Sequence, residues 1–268
     1  MFVNNHFIYI QMQKTACTHI AKLLSELFDG KMIGKHNSAS QSQIAKTPYF
    51  ISSIRNPWDW YLSMYTHGVL GKGGPYERLT QRHILKAIRL NLVSPRKNYA
   101  SLYFELIKDI EKWQGYYQQS FDATSFQAWL TEVLNPQNAP FLGEQYEQGH
   151  IAKNVGFMTY RYFYLCCKNT NQLRQKQTWD YQELVTFDKK NSYIDNFIRQ
   201  EHLEDSLFKA IKDIPGFSKE RFAKVIKTGR TNESIRAGTL QTYYTDELIS
   251  LVYRRDRLLI EKFGYSFP

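Results

Sequence analysis

Cysteine is scarce in this chain: Cys17, Cys166 and Cys167 are the only three in 268 residues. Two are adjacent and the third is far away, so they can build neither a disulfide framework nor a C-x-x-C metal site. Free thiols in a cytoplasmic protein are the expectation. Long apolar runs are missing as well. No stretch approaches the roughly 18 apolar residues that a membrane-crossing helix needs. The opening MFVNNHFIYIQ lacks the basic-then-apolar layout of a secretory leader, and Met1 stands directly before the first apolar run, as in a native start. There is no internal repeat, low-complexity tract or linker-like segment, so a single domain over residues 1–268 is expected. Carboxylates are outnumbered, 25 against 35 lysines and arginines, which leaves a net charge of +10. That balance points to an anionic partner: a nucleotide, a nucleic acid, an acidic glycan or a membrane surface.

What is present is a clear alternation of elements. HFIYIQM (6–12) reads as a short buried strand. Residues 18–28 read as a helix, because Ile20, Leu23, Leu24 and Leu27 recur at i, i+3, i+4 and i+7, with Gly30 as the residue that ends it. YFISSI (49–54) reads as a second strand closed by Arg55. Asn56 and Pro57 are a good N-cap and first helical residue for the WDWYLSMY that follows. Strand, helix, loop, strand, helix is the start of an α/β fold with a parallel sheet. HGVLGKGGPYE (67–77) reads as a surface loop, and residues 78–150 as mostly helical. FMTYRYFYLC (157–166) is ambiguous between helix and strand. SYIDNFIRQEHLEDSLFKAIKDI (192–214) holds a strand, DNFIR, and then a helix. Residues 245–263 form a closing helix capped by Thr245, with Glu247 in its first turn.

Glycine is missing where it would be most informative. QMQKTACTHIAKLL (11–24) sits between the first strand and the first helix, where a phosphate-binding loop would lie, yet it has no G-x-x-x-x-G-K-[ST] pattern. A helix N-terminus still offers unpaired N–H groups and a partial positive charge, to which Lys14 adds a full charge and Thr15 and Thr18 add hydroxyls. On its own, KTACT reads equally well as a plain turn. A second anion-binding pair follows at Arg55, a planar and permanently charged fork, and Ser63, eight residues on. Each also has a plain alternative: a strand-end ion pair for Arg55 and a polar helix face for Ser63.

QKTACT, followed some forty residues later by RNPWDWYLSMY, resembles the sulfotransferases that use 3′-phosphoadenosine 5′-phosphosulfate. Lys14, Thr15, Ala16, Cys17 and Thr18 fall on the family's loop for the 5′-phosphosulfate. Arg55, Asn56, Pro57, Ser63 and Tyr65 fall on its R-[ND]-P…S-x-Y segment for the 3′-phosphate. IDNFIRQEHLEDSL resembles its R-x-E-x-L-x-x-D segment, and YYTDELISLVYRRDRLLIEKFGYSF the closing helix of its carbohydrate-type branch. Gln13 stands where proline is usual and Trp60 where arginine is frequent. No motif is found over 78–190.

The resemblance implies one α/β domain of P-loop-like sulfotransferase fold, with a mostly parallel central sheet flanked by helices. It also implies sulfuryl transfer to a hydroxyl, on a glycan or glycolipid, with 3′,5′-bisphosphoadenosine as product and no metal. Lys14 would stabilise the leaving phosphate and His36, in the loop after the first helix, would be the base. His67 is the second candidate and Glu26 a weaker one, while Lys35 reads as a solvated lysine that could pair with acceptor or sulfate. Arg230, in a segment that covers the cofactor in relatives, is a further 3′-phosphate candidate. Two other readings remain open from the residues: a nucleotide kinase or NTPase, which wants a Gly-Lys-Ser/Thr loop and an acidic Mg²⁺ ligand, and a basic nucleic-acid-binding module, which wants clustered rather than scattered cations.

Overall fold

The fold is taken from a computed structural model, which describes residues 1–93, 99–118, 121–146, 150–227 and 238–268. Five strands form one open sheet: β1 (Phe2–Val3), β2 (Ile8–Ile10), β3 (Lys31–Met32), β4 (Phe50–Ile54) and β5 (Asn196–Arg199), in the order β3-β1-β2-β4-β5. β2, β4 and β5 run parallel, with Ile8 opposite Phe50 and Ile51 opposite Asn196. β1 is antiparallel to both β2 and β3. The sheet is therefore mixed rather than mostly parallel. What reads as one strand over 6–12 is the second half of a tight hairpin. Its turn is closed by Asn4, whose N–H donates to the Phe7 carbonyl (3.0 Å) and whose side chain accepts from the His6 N–H (2.8 Å).

β4 lies between the two other parallel strands and is buried along its whole length. Side chains alternate across it, as a pleated strand requires. Ile8, Ile10, Phe50 and Ile54 point into a large core shared with the helices of residues 57–166 and the closing helix. Tyr9, Ile51 and Ile198 point into a smaller core beneath helix α1 (Cys17–Leu27) and the helices Leu203–Ile211 and Lys219–Ile226. The four periodic residues of α1 are all buried in that smaller core. Gly30 does not end α1, since the chain is already extended at Phe28. A Cβ on Gly30 would lie 2.4 Å from the Phe2 ring, so the glycine instead lets this segment lie against β1.

A short helix, α2 (Gln41–Lys46), precedes β4. Helix α3 (Pro57–Val69) begins as expected, with the Asn56 side chain accepting from the Trp58 N–H at 3.1 Å. It runs three residues into the glycine-containing stretch, and another helix starts at Gly74, so only residues 70–73 are loop. Residues 157–166 are helical. The closing helix, Asp246–Phe263, is capped by Thr245 and kinked at Asp256. No helix among the described residues is long and apolar enough to cross a membrane.

Candidate functional site

The loop between β2 and α1 solves the missing-glycine problem with its backbone. Lys14 and Ala16 both adopt left-handed conformations, φ 63° and 60°, which ordinary side chains seldom occupy. Ala16 is the N-cap of α1; no side chain caps that end, and no acidic residue lies in the first turn. No side chain of the N-cap therefore competes with an anion for the partial positive charge at this helix end. Thr18 is exposed in that turn.

Thr15 is used differently. Fully buried, its hydroxyl donates to the Met12 carbonyl (2.8 Å) and meets Ser53 Oγ at 2.6 Å, which in turn lies 2.7 Å from the Tyr9 hydroxyl. This chain of hydroxyls ties the loop to β4, and only the backbone of Thr15 is left to face a ligand. Cys17 is buried, its Sγ 3.6 Å from His36 Nε2.

Arg55 closes β4 and reaches across to the neighbouring loop. Its guanidinium donates to the Lys14 carbonyl at 3.1 Å and, through Nε, to Asp59 Oδ2 at 2.6 Å. Trp60 Nε1 adds a bond to the Gln13 carbonyl at 2.7 Å. The two motif segments are therefore locked together at the C-terminal ends of adjacent parallel strands, where open α/β sheets hold their ligands. Glu201, of the R-x-E segment, accepts from the Asn56 N–H at 2.5 Å and from the Tyr265 hydroxyl at 3.4 Å. Arg199 donates to the Phe263 carbonyl at 2.6 Å and lies over the Phe263 and Tyr265 rings. This segment braces the start of α3 against the C-terminal chain. Ser63 is buried in α3. Arg230 lies outside the described residues.

Lys14, Lys35, Lys72, Arg55 and Arg161 make a basin of positive potential around the loop and the two histidines. Burial, with Arg55 next to it, lowers the Lys14 ammonium to about 8, so it keeps its proton at neutral pH. Burial, then Arg161 and Lys35, push His36 down to about 4. Burial, then Lys14, Lys72 and Lys35, do the same to His67. Both imidazoles are neutral at pH 7. Glu26 is apart from this group, pairing with Lys22 at 3.8 Å.

Sequence reasoning missed the partners that come from afar. Trp60, where the resembled sulfotransferases often have arginine, reaches the Gln13 carbonyl 47 residues away, while Asp59 fixes Arg55 from within its own segment. Glu144 accepts from Arg78 (2.9 Å) and from the buried Arg161. Burial pushes its carboxyl upward, but the two arginines outweigh that and hold it below the usual carboxylate range. Arg161 Nε and Gln13 Oε1 are buried with no hydrogen-bond partner. Nothing local in the motif-free middle third marks Glu144 or Arg161. An open hollow of about 410 Å³ lies elsewhere, lined by Trp58, Ile249, Tyr253, Arg254 and Phe267 among others, and it shares no lining residue with the Lys14 loop.

No family model, no curated protein and no solved structure matches this chain. The donor set itself suits an anionic ligand: Lys14, the start of α1 that no side chain caps, and the Arg55 guanidinium held on the Lys14 carbonyl.

Proposed function

We propose that this chain is a sulfotransferase that moves a sulfuryl group from 3′-phosphoadenosine 5′-phosphosulfate to a hydroxyl on a glycan or glycolipid. The reading is supported above all by the Arg55–Lys14 hydrogen bond (3.1 Å), which joins the two motif segments into one anion-binding unit. The nucleotide supplies an activated sulfuryl group. The chain's own residues do the rest. Lys14 and the partial positive charge at the start of α1 meet the charge that builds on the departing phosphate oxygen. Arg55, fixed by Asp59, holds the 3′-phosphate without needing to reorganise. One S–O bond forms as another breaks, and the acceptor's proton passes to His36.

At a pKa of about 4, His36 is a weak base in the free protein. An anion entering the basin offsets the fields of Arg161 and Lys35, which moves the imidazole back toward the range where proton abstraction is efficient.

Thermal unfolding tests the reading. At about 100 times its Kd, 3′,5′-bisphosphoadenosine adds ~2.7 kcal/mol, a rise in Tm of roughly 5–10 °C. AMP should give a much smaller rise, and Lys14→Ala should abolish the response to the bisphosphate. Stabilisation by ATP–Mg²⁺ in place of the bisphosphate would favour a kinase. No response to any nucleotide would overturn both.

A further inference from the structure

The helices Ile84–Val93 and Tyr99–Ile107 pack on each other as a hairpin and carry apolar side chains that the rest of the molecule leaves in water. Leu85 is 83% exposed and Leu92 81%, with Ile88 between them at 39%. They fall at i, i+3 and i+7, one stripe of the first helix. Tyr103, Leu106 and Ile107 of the second helix are exposed as well. Six of the ten exposed large hydrophobics among the described residues belong to this one hairpin. Scattered exposed leucines need no explanation, but a concentrated set marks an interaction surface.

The charge around the stripe identifies the partner. From Gln81 to Phe104 the sequence contains no carboxylate. Lys86 and Arg89 are exposed, and helical spacing puts both along one edge of the Leu85–Ile88–Leu92 stripe. Glu105, at the base, is engaged by Lys108 Nζ (2.8 Å) and by the His83 N–H (2.8 Å). Arg82 is turned inward onto the carbonyls of Glu105 (2.7 Å) and Lys108 (3.1 Å). The base of the hairpin is therefore pinned, while its outer face is apolar with a cationic border. An isologous contact with a second copy would set cation against cation across the interface. A leucine stripe bordered by Lys and Arg is instead the layout of a helix lying in a lipid interface.

We propose that this hairpin docks the protein on an anionic bilayer surface, with Leu85 and Leu92 entering the interface and Lys86 and Arg89 over the lipid headgroups. The inference stands apart from the enzymatic reading. Co-sedimentation of the full chain with phosphatidylcholine vesicles, with and without 30% phosphatidylglycerol (about 0.1 M salt), tests it. The chain should bind the anionic vesicles at least tenfold more tightly than the neutral ones. Lys86→Gln with Arg89→Gln should weaken binding ~25-fold, from roughly fivefold per cation. Leu85→Glu with Leu92→Glu should lose it while leaving Tm unchanged. Should the leucine variant fail to fold, the charge variant decides alone. Equal binding to both vesicles, no binding to either, or wild-type binding by the charge variant would overturn the proposal. A concentration-dependent dimer abolished by the leucine variant, without vesicle binding, would assign the face to a second copy.

Discussion

Lys14 keeps its charge against its surroundings. Burial and the Arg55 guanidinium bring it to about 8, against 10.5 for a free lysine, so it is cationic at pH 7 with little to spare. The sign for binding follows directly. An anion binds the protonated form, so affinity is flat below pH 8 and falls up to about tenfold per unit above it, until the pKa in the complex is reached. Titration of 3′,5′-bisphosphoadenosine by calorimetry from pH 6.5 to 9.5 should show that break, and Lys14→Met should bind weakly at every pH. A flat profile through pH 9.5 in the wild type would remove Lys14 from the site. Loop, arginine and histidine all depend on one another through charge, since each cation added to the basin makes the next harder to hold and an incoming anion more welcome.

At the scale of elements, the junction between helices is set by one buried carboxylate. Asp256, at the kink of the closing helix, accepts from the Tyr61 hydroxyl (2.7 Å), the Thr159 N–H (2.8 Å) and the Thr159 hydroxyl (2.7 Å), joining that helix to α3 and to Phe157–Cys166. Burial pushes its pKa up, an effect these donors partly offset. Gly156 makes room: a Cβ there would lie 2.4 Å from Asp256 Oδ2. Gly156→Ala should therefore cost about 2–4 kcal/mol, read as a lower urea midpoint. A loss under about 1 kcal/mol would mean that the junction can slide.

The same scale explains what was legible in the sequence. α1 carries a full apolar period, α3 and the closing helix carry N-caps, and all three form where the pattern puts them. β1 and β3 are two residues each, too short for any alternation to show, so the antiparallel half of the sheet was hidden. Lys14 and Arg55 were visible because short motifs surround them. Glu144 and Arg161 were not, because they meet across the fold and neither has a local signature. Thr15 looked like a ligand group, whereas a fully buried hydroxyl facing Ser53 only becomes evident once β4 lies beside the loop.

Across the whole molecule, the two cores are unequal, and the loop proposed to bind the anion packs on the smaller one. α1 rests on a layer made with Leu203–Ile211 and Lys219–Ile226, while Arg161, Glu144 and Tyr61 belong to the larger helical body on the other face of the sheet. Such layers can open as separate cooperative units, each with its own free energy. The thin layer should therefore exchange its amide hydrogens first: in native-state exchange, α1 and Leu203–Ile211 lose protection together, ahead of Phe157–Cys166. Uniform protection across both layers would show that the sheet couples them into one unit. If they are separable, the chain can lose its grip on an anion while most of it stays folded, and occupancy of the loop becomes a clamp on that partial unfolding. Protein turnover would then follow ligand supply, with the empty form the more readily cut by proteases.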